Sequence, residues 1–247
     1  NAAAERVLEI LDSKSSINEI ADPISKQSFD SEITFENVSF KYENVNVLKN
    51  INFKIKKGQT IAIVGQSGSG KSTIANLIPR FYDVNSGKIL IDGINIKDLF
   101  KKDLRNLIGL VSQDSILFND SISNNIKLSS FNNNEEDVKK SAIIANANDF
   151  IDKLENKYES NVGDGGGKLS GGQKQRCVIA RALAKDCPII VADEPTGNLD
   201  SESGKNILSL LKEISKDKLV IVVTHSFDEI SSYATRKIRL FDGEVVE

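Results

Sequence analysis

Cysteine, histidine and long apolar runs are all scarce in this sequence. The two cysteines, Cys177 and Cys187, fit neither a disulfide framework nor the usual spacing of metal ligands. They read as small core residues of a protein kept in a reducing compartment. No apolar stretch approaches the ~18–20 residues that a membrane span needs, and no secretory leader opens the chain. On these grounds the chain reads as a soluble, cytosol-facing domain. An excess of basic charge is also missing: 32 Lys and Arg stand against 35 Asp and Glu, for a net charge of −3. That balance argues against a nucleic-acid footprint spread over the whole surface, and no nucleic-acid partner is expected. What the sequence does have is length. Its 247 residues suit one large α/β domain or two small ones, with enough chain to bury a substantial core.

The chain is organised around Gly65-Gln66-Ser67-Gly68-Ser69-Gly70-Lys71-Ser72-Thr73. This fits G-x-x-x-x-G-K-[ST], a loop whose glycines let main-chain N–H groups turn inward on phosphates. Thr60–Val64 before it is a short β-branched run, as a buried parallel strand should be. Ser72–Pro79 after it reads as a helix whose N-terminal dipole faces the anion. In that context Lys71 should reach the β- and γ-phosphates, and the Ser72 hydroxyl should ligand Mg²⁺.

Around this centre the pattern is mixed. Ala2–Asp12 places Val7, Leu8, Ile10 and Leu11 near one helical face, and residues 12–30 are polar and aperiodic, as in an extended linker. A chain that opens inside a helix reads as cut from something longer. Ile33 and Phe35, then Val38 and Phe40 after a break in phase, then Ile51, Phe53 and Ile55 predict an antiparallel β layer. Tyr42 falls in the turn after the first strands, where it could stack on an adenine ring or simply pack. Residues 88–93 and 108–111 read as strands and Leu99–Leu107 as a helix. Gln113 follows the 108–111 strand at its C-terminal end, where it could touch Mg²⁺ or the attacking water, or be an ordinary loop amide. Residues 119–182 read as a mainly helical insertion, with helical patterns in Asp137–Ala147 and Asp149–Leu154 and an Asn-rich loop at Phe131–Asn134.

Three further polar groups stand out. Leu169-Ser170-Gly171-Gly172-Gln173 opens a helix with Ser170 at its N-cap and free N–H groups behind it. That is a second anion-binding terminus, and one nucleotide needs only one, so the second could serve a nucleotide held by another copy. Asp193 and Glu194 end an apolar strand, placing Asp193 to hold Mg²⁺ and Glu194 to polarise a water for in-line attack on the γ-phosphate. His225, the one histidine, ends the Leu219–Thr224 strand and could donate to the γ-phosphate or orient the water. Residues 237–246 read as a closing hairpin around Asp242-Gly243.

Taken together and in this order, residues 30–247 resemble the nucleotide-binding domain of ATP-binding-cassette (ABC) transporters. By that resemblance Gly65–Thr73 is the Walker A loop, Tyr42 the adenine-stacking aromatic and Gln113 the Q-loop glutamine. Leu169–Gln173 is the family signature, Asp193 and Glu194 the Walker B aspartate and catalytic glutamate, Asn198–Asp200 the D-loop, and His225 the switch histidine. The family implies a P-loop NTPase core with a mainly parallel sheet, an antiparallel β layer and a helical subdomain. It also implies a head-to-tail dimer with Ser170, Gly171, Gly172, Gln173 and Asp200 acting across to the partner's ATP. Val162–Gly166, Leu117–Ile122 and Ala2–Asp12 resemble the exporter branch, with residues 1–30 as the link from a transmembrane domain and the ATPase at the cytoplasmic face of a membrane. One departure is Asp193-Glu194-Pro195-Thr196-Gly197-Asn198-Leu199-Asp200, where exporters commonly carry a D-E-A-T-S-A-L-D type run; this version resembles lipoprotein-release and macrolide-efflux ATPases. A soluble ABC-type ATPase acting on DNA or ribosomes would share these motifs but would need long coiled coils or a second cassette. A plain P-loop kinase would lack Leu169–Gln173.

Overall fold

A computed structural model describes residues 2–12, 17–129 and 134–246. It contains two sheets. The first is antiparallel, in the order β2 (Val45–Lys56), β1 (Glu32–Tyr42), β4 (Ser86–Ile91), β5 (Ile94–Asn95). The break in phase between Phe35 and Val38 is a bulge: the register to β2 shifts there, with Asn37 at φ 51°. The second sheet runs β10 (Glu244–Val245), β9 (Arg236–Phe241), β3 (Thr60–Gly65), β8 (Leu219–Thr224), β7 (Ile189–Asp193), β6 (Ile108–Val111). All its neighbours are parallel except the terminal β9–β10 hairpin.

The parallel strands are apolar on both faces because both are covered. Ile61, Ile63, Ile189, Val191, Ile221 and Val223 face the helix α2 (Lys71–Leu77) and the antiparallel sheet. Ala62, Val64, Ile190, Ala192, Val220 and Val222 face α7 (Gly171–Ala184) and α8 (Ser201–Ile214). The alternation is the period-2 signature of a strand, and each fully buried isoleucine contributes roughly 1.5–3 kcal/mol. Helix α2 is thus held between two sheets, with Ile74, Ala75 and Leu77 fully buried.

Helices α4 (Ile122–Lys127), α5 (Glu135–Ile144) and α6 (Asn148–Ile151) pack together with α7, in the stretch expected to be helical. Asn134 caps α5 through a reciprocal capping box with Asp137. The expected loop residues 131–133 lie outside the described residues.

Residues 17–31 differ from the expectation of a plain linker. They are extended, but they are fastened along the domain. Phe29 and Ile17 are buried, and Ile24 exchanges main-chain hydrogen bonds with Asp98 and Phe100 beside α3 (Lys101–Asn106). The Arg80 guanidinium, itself buried, donates to the Asn18 carbonyl at 2.8 Å and pairs with Asp83. Polar side chains of the stretch add to these contacts: Ser25 Oγ donates to Asp103 at 2.7 Å and Glu19 accepts from the Lys101 N–H at 2.7 Å. The preceding helix α1 (Ala2–Asp12) carries Val7, Leu8 and Leu11 exposed, while the side chain of Ile10 is outside the described residues.

Candidate active site

Strand register puts the polar groups at one edge. Val64 lies beside Thr224, Gly65 beside Leu240, Asp193 beside Val223 and Val111 beside Ala192. The loop after β3, the carboxylates after β7, the histidine after β8 and the glutamine after β6 therefore leave the sheet together at its carboxyl end, where open α/β sheets bind ligands.

A cavity of about 550 Å³ opens there, lined by Ser67, Gly68, Gly70, Lys71, Ser72, Thr73, Gln113, Glu194, His225 and Val47. The loop wraps α2's N-terminus closely enough that two glycines are obligatory. A Cβ on Gly65 would meet the Leu240 carbonyl oxygen at 2.4 Å, and Gly70, at φ 97°, would press on Leu48. Gly70 is also the N-cap and bears no side chain, so the first N–H groups of α2 are left to an incoming acceptor. Ser69 Oγ is buried and makes no hydrogen bond within the protein. Lys71 Nζ donates to the Gln66 carbonyl at 2.9 Å, holding a buried cation beside the loop.

The Ser72 hydroxyl donates to Asp193 Oδ1 at 2.9 Å, so the two groups expected to hold Mg²⁺ are adjacent, one in the first turn of α2 and one at the end of β7. Burial pushes the Asp193 carboxyl upward; the Ser72 hydrogen bond and Lys71 pull it down, the Glu194 charge pushes it further up, and the net direction is up. A divalent cation would reverse that cost. The Ser72 hydroxyl and the exposed Gln113 amide line the cavity, and with the Asp193 carboxylate behind Ser72 they make an all-oxygen set suited to Mg²⁺.

Glu194 is the strained residue of the site, a non-glycine at φ 46°. Its main-chain N–H donates to the Val223 carbonyl, and its carbonyl accepts from Gly197. The side chain is only 10% exposed, and Oε2 lies 2.9 Å from His225 Nδ1. An ionised carboxylate can only accept, so Nδ1 carries the proton and Nε2 is left free. Sequence gave no warning of the strain, since a glutamate does not advertise a left-handed backbone as a glycine does.

The other expected residues fall elsewhere. Tyr42 ends β1, pairing with Val45, instead of sitting in the turn; its ring packs edge-on against Phe40 and Tyr82 and does not line the cavity. Val47, on the partner strand, does line it. Ser170 caps α7 as expected, in a full capping box: its hydroxyl accepts from Gln173 N–H, and Gln173 Oε1 accepts from Ser170 N–H. Ser170, Gly171, Gly172 and Gln173 do not line the phosphate-side cavity of this chain, and Gly171 instead borders a separate cavity of about 270 Å³. Asp200 caps α8 through Glu202 and Ser203 N–H groups and also lies outside the larger cavity. Among the described residues, the Gly65–Thr73 loop and the α7 terminus thus open on different cavities.

A strand–glycine loop–helix with a lysine inside, and two carboxylates at the end of a parallel strand of the same sheet, define a P-loop ATPase. A sequence model of the ABC transporter family matches residues 48–197, and the chain belongs to that family as its nucleotide-binding ATPase domain. It is 42% identical over all of its length to an ATP-dependent lipid A-core flippase of Desulfotalea psychrophila, covering 43% of that protein. It is 48% identical over 87% of its length to a Staphylococcus aureus ATP-binding/permease protein named for multidrug export, covering 37% of it. Among solved structures, a bacterial Atm1-family ABC exporter with ATP bound superposes with a TM-score of 0.90 at 36% identity, over all of this chain and 43% of that one. The chain spans less than half the length of these relatives. These relatives are exporters and flippases, so the Pro195–Asn198 departure does not separate the chain from that branch.

Proposed function

We propose that this chain binds Mg-ATP in the 550 Å³ cavity and hydrolyses it to power an exporter whose membrane-spanning part is a separate domain. The observation that carries the reading is the Glu194–His225 pair standing across the cavity from Lys71 and the Gly65–Thr73 loop. Lys71 and the α2 N-terminus would hold the β- and γ-phosphates. Glu194, kept ionised-side inward by His225, would take a proton from the attacking water as the γ-phosphoryl bond to ADP breaks. His225 Nε2, free of Glu194, would be available to the γ-phosphate. Ser72, Asp193 and Gln113 would hold Mg²⁺, which when bound neutralises charge on the transferring phosphoryl group. Tyr42 would stack on adenine.

The second terminus finds its use in a second copy of the domain. Ser170, Gly171, Gly172 and Gln173, with Asp200, would complete the site of a partner cassette in a head-to-tail dimer. Closure around two nucleotides and reopening after hydrolysis would be read by a transmembrane domain, with residues 1–30 leading from it and residues 31–247 forming the cassette at the cytoplasmic face of a membrane. The helical subdomain would span about residues 119–182. As a test, Glu194→Gln should keep ATP affinity but lower turnover by at least about a hundredfold. Unchanged turnover would remove Glu194 from its role.

A further inference from the structure

The phosphate cavity shares one residue, Gln113, with the 270 Å³ cavity beside it. That smaller cavity is enclosed by the 113–116 loop, Gly165, the turn at Pro195–Leu199 and the start of α7. Its buried wall is Gln175, 2% exposed. Gln175 Oε1 accepts from the Ser115 hydroxyl, two residues past Gln113. Its Nε2 is buried and has no protein acceptor, an expensive condition for an amide with two donors. On the opposite side, Asn198 Nδ2 reaches the Gln113 carbonyl at 3.4 Å, and Asn198 belongs to the turn that begins at Glu194. The loop bearing Gln113 is therefore tied to α7 by Gln175 and to the Glu194 turn by Asn198.

From this geometry we propose that Gln175 is a positioning residue for Gln113. It anchors the 112–116 loop through Ser115, while Asn198 ties the same loop to the Glu194 turn. The inference rests on the ATPase reading above, with Gln113 acting on Mg²⁺.

The test is steady-state ATP turnover of this chain as a function of Mg²⁺, with Gln175→Leu, Ser115→Ala and Gln113→Ala singly and in pairs, and with melting temperatures recorded. Gln175→Leu and Ser115→Ala should each lower kcat about 3- to 30-fold and raise the half-saturating Mg²⁺ concentration, with little change in ATP affinity. In the Gln113→Ala background the same changes should cost less than about twofold, because the residue they position is gone. A purely structural Gln175 would lower the melting temperature and reduce turnover by the same factor in both backgrounds, and that result overturns the proposal. So does unchanged turnover in Gln175→Leu, or a Gln113→Ala protein with wild-type turnover. If Glu194→Gln still abolishes turnover while the effects at 175 and 113 multiply independently, the ATPase reading stands and this one falls.

Discussion

Replacing Asp92 by asparagine should loosen the strap formed by residues 17–31, by an amount that depends on pH in a defined way. Asp92 follows β4 and collects the strap's donors: Asp30 N–H at 2.8 Å, Ser31 N–H at 2.7 Å, Ser31 Oγ at 2.9 Å and Glu32 N–H at 3.0 Å. Lys26 Nζ completes the set at 2.9 Å, and both side chains are 10% exposed. Partial burial works to raise the Asp92 pKa, but the Lys26 hydrogen bond and the main-chain donors outweigh it and bring it from 3.8 to about 2. A shift of that size corresponds to roughly 2 kcal/mol of stability. The folded-state pKa is the lower one, so the contribution is complete above about pH 4 and is lost as pH falls towards 2; about half remains at pH 3. Asn turns an amide toward N–H groups that need an acceptor. For a domain of this size Asp92→Asn should lower the melting temperature by about 4–8 °C at pH 7, and by about half that at pH 3. Differential scanning calorimetry at the two pH values reads both numbers. An equal difference at pH 7 and pH 3, or none at either, would refute the claim that an ionised Asp92 holds the strap. ATP turnover should be unaffected, since Asp92 is not among the residues that line the phosphate cavity.

At the site the sign is reversed. Asp193 is pushed up, so its contribution to stability is present below the unfolded-state pKa and lost as pH rises through the folded-state one; at pH 7 it is a cost. Asp193→Asn, which still accepts from Ser72, should therefore raise the melting temperature of the nucleotide-free protein while removing Mg²⁺-dependent turnover; a lower melting temperature would contradict the cause assigned to the shift. Lys71→Ala should weaken ATP binding about 10- to 100-fold by direct titration, the loss of a charge-assisted contact, and unaltered affinity would count against a phosphate contact.

Much of this arrangement could be read from the chain. Thr60–Val64, the glycine loop and α2 were legible because strand pattern, turn chemistry and helix start agree locally, and the parallel register then follows from covered, two-faced strands. Ser170 and Gln173 were legible as a helix start for the same reason, since a capping box is local. Contacts between distant segments were not. Residues 17–31 look like a linker because their partners, Asp92, Asp98 and Asp103, lie some sixty to eighty residues away. Tyr42 was assigned to a turn because the two-residue connection to Val45 has no glycine to mark it; Glu43 takes φ 50° in its place. Gln175, inside a helix, gave no signal of its bond to Ser115.

The central claim is that one chain's phosphate loop is completed by another chain's Ser170–Gln173 terminus. Sedimentation of the Glu194→Gln protein with ATP and Mg²⁺ tests it most directly. A nucleotide-dependent dimer of twice the 27.1 kDa chain mass is expected, lost again when Ser170→Arg blocks the terminus. A protein that stays at monomer mass at saturating ATP and high concentration, or a dimer that Ser170→Arg leaves intact, would contradict it.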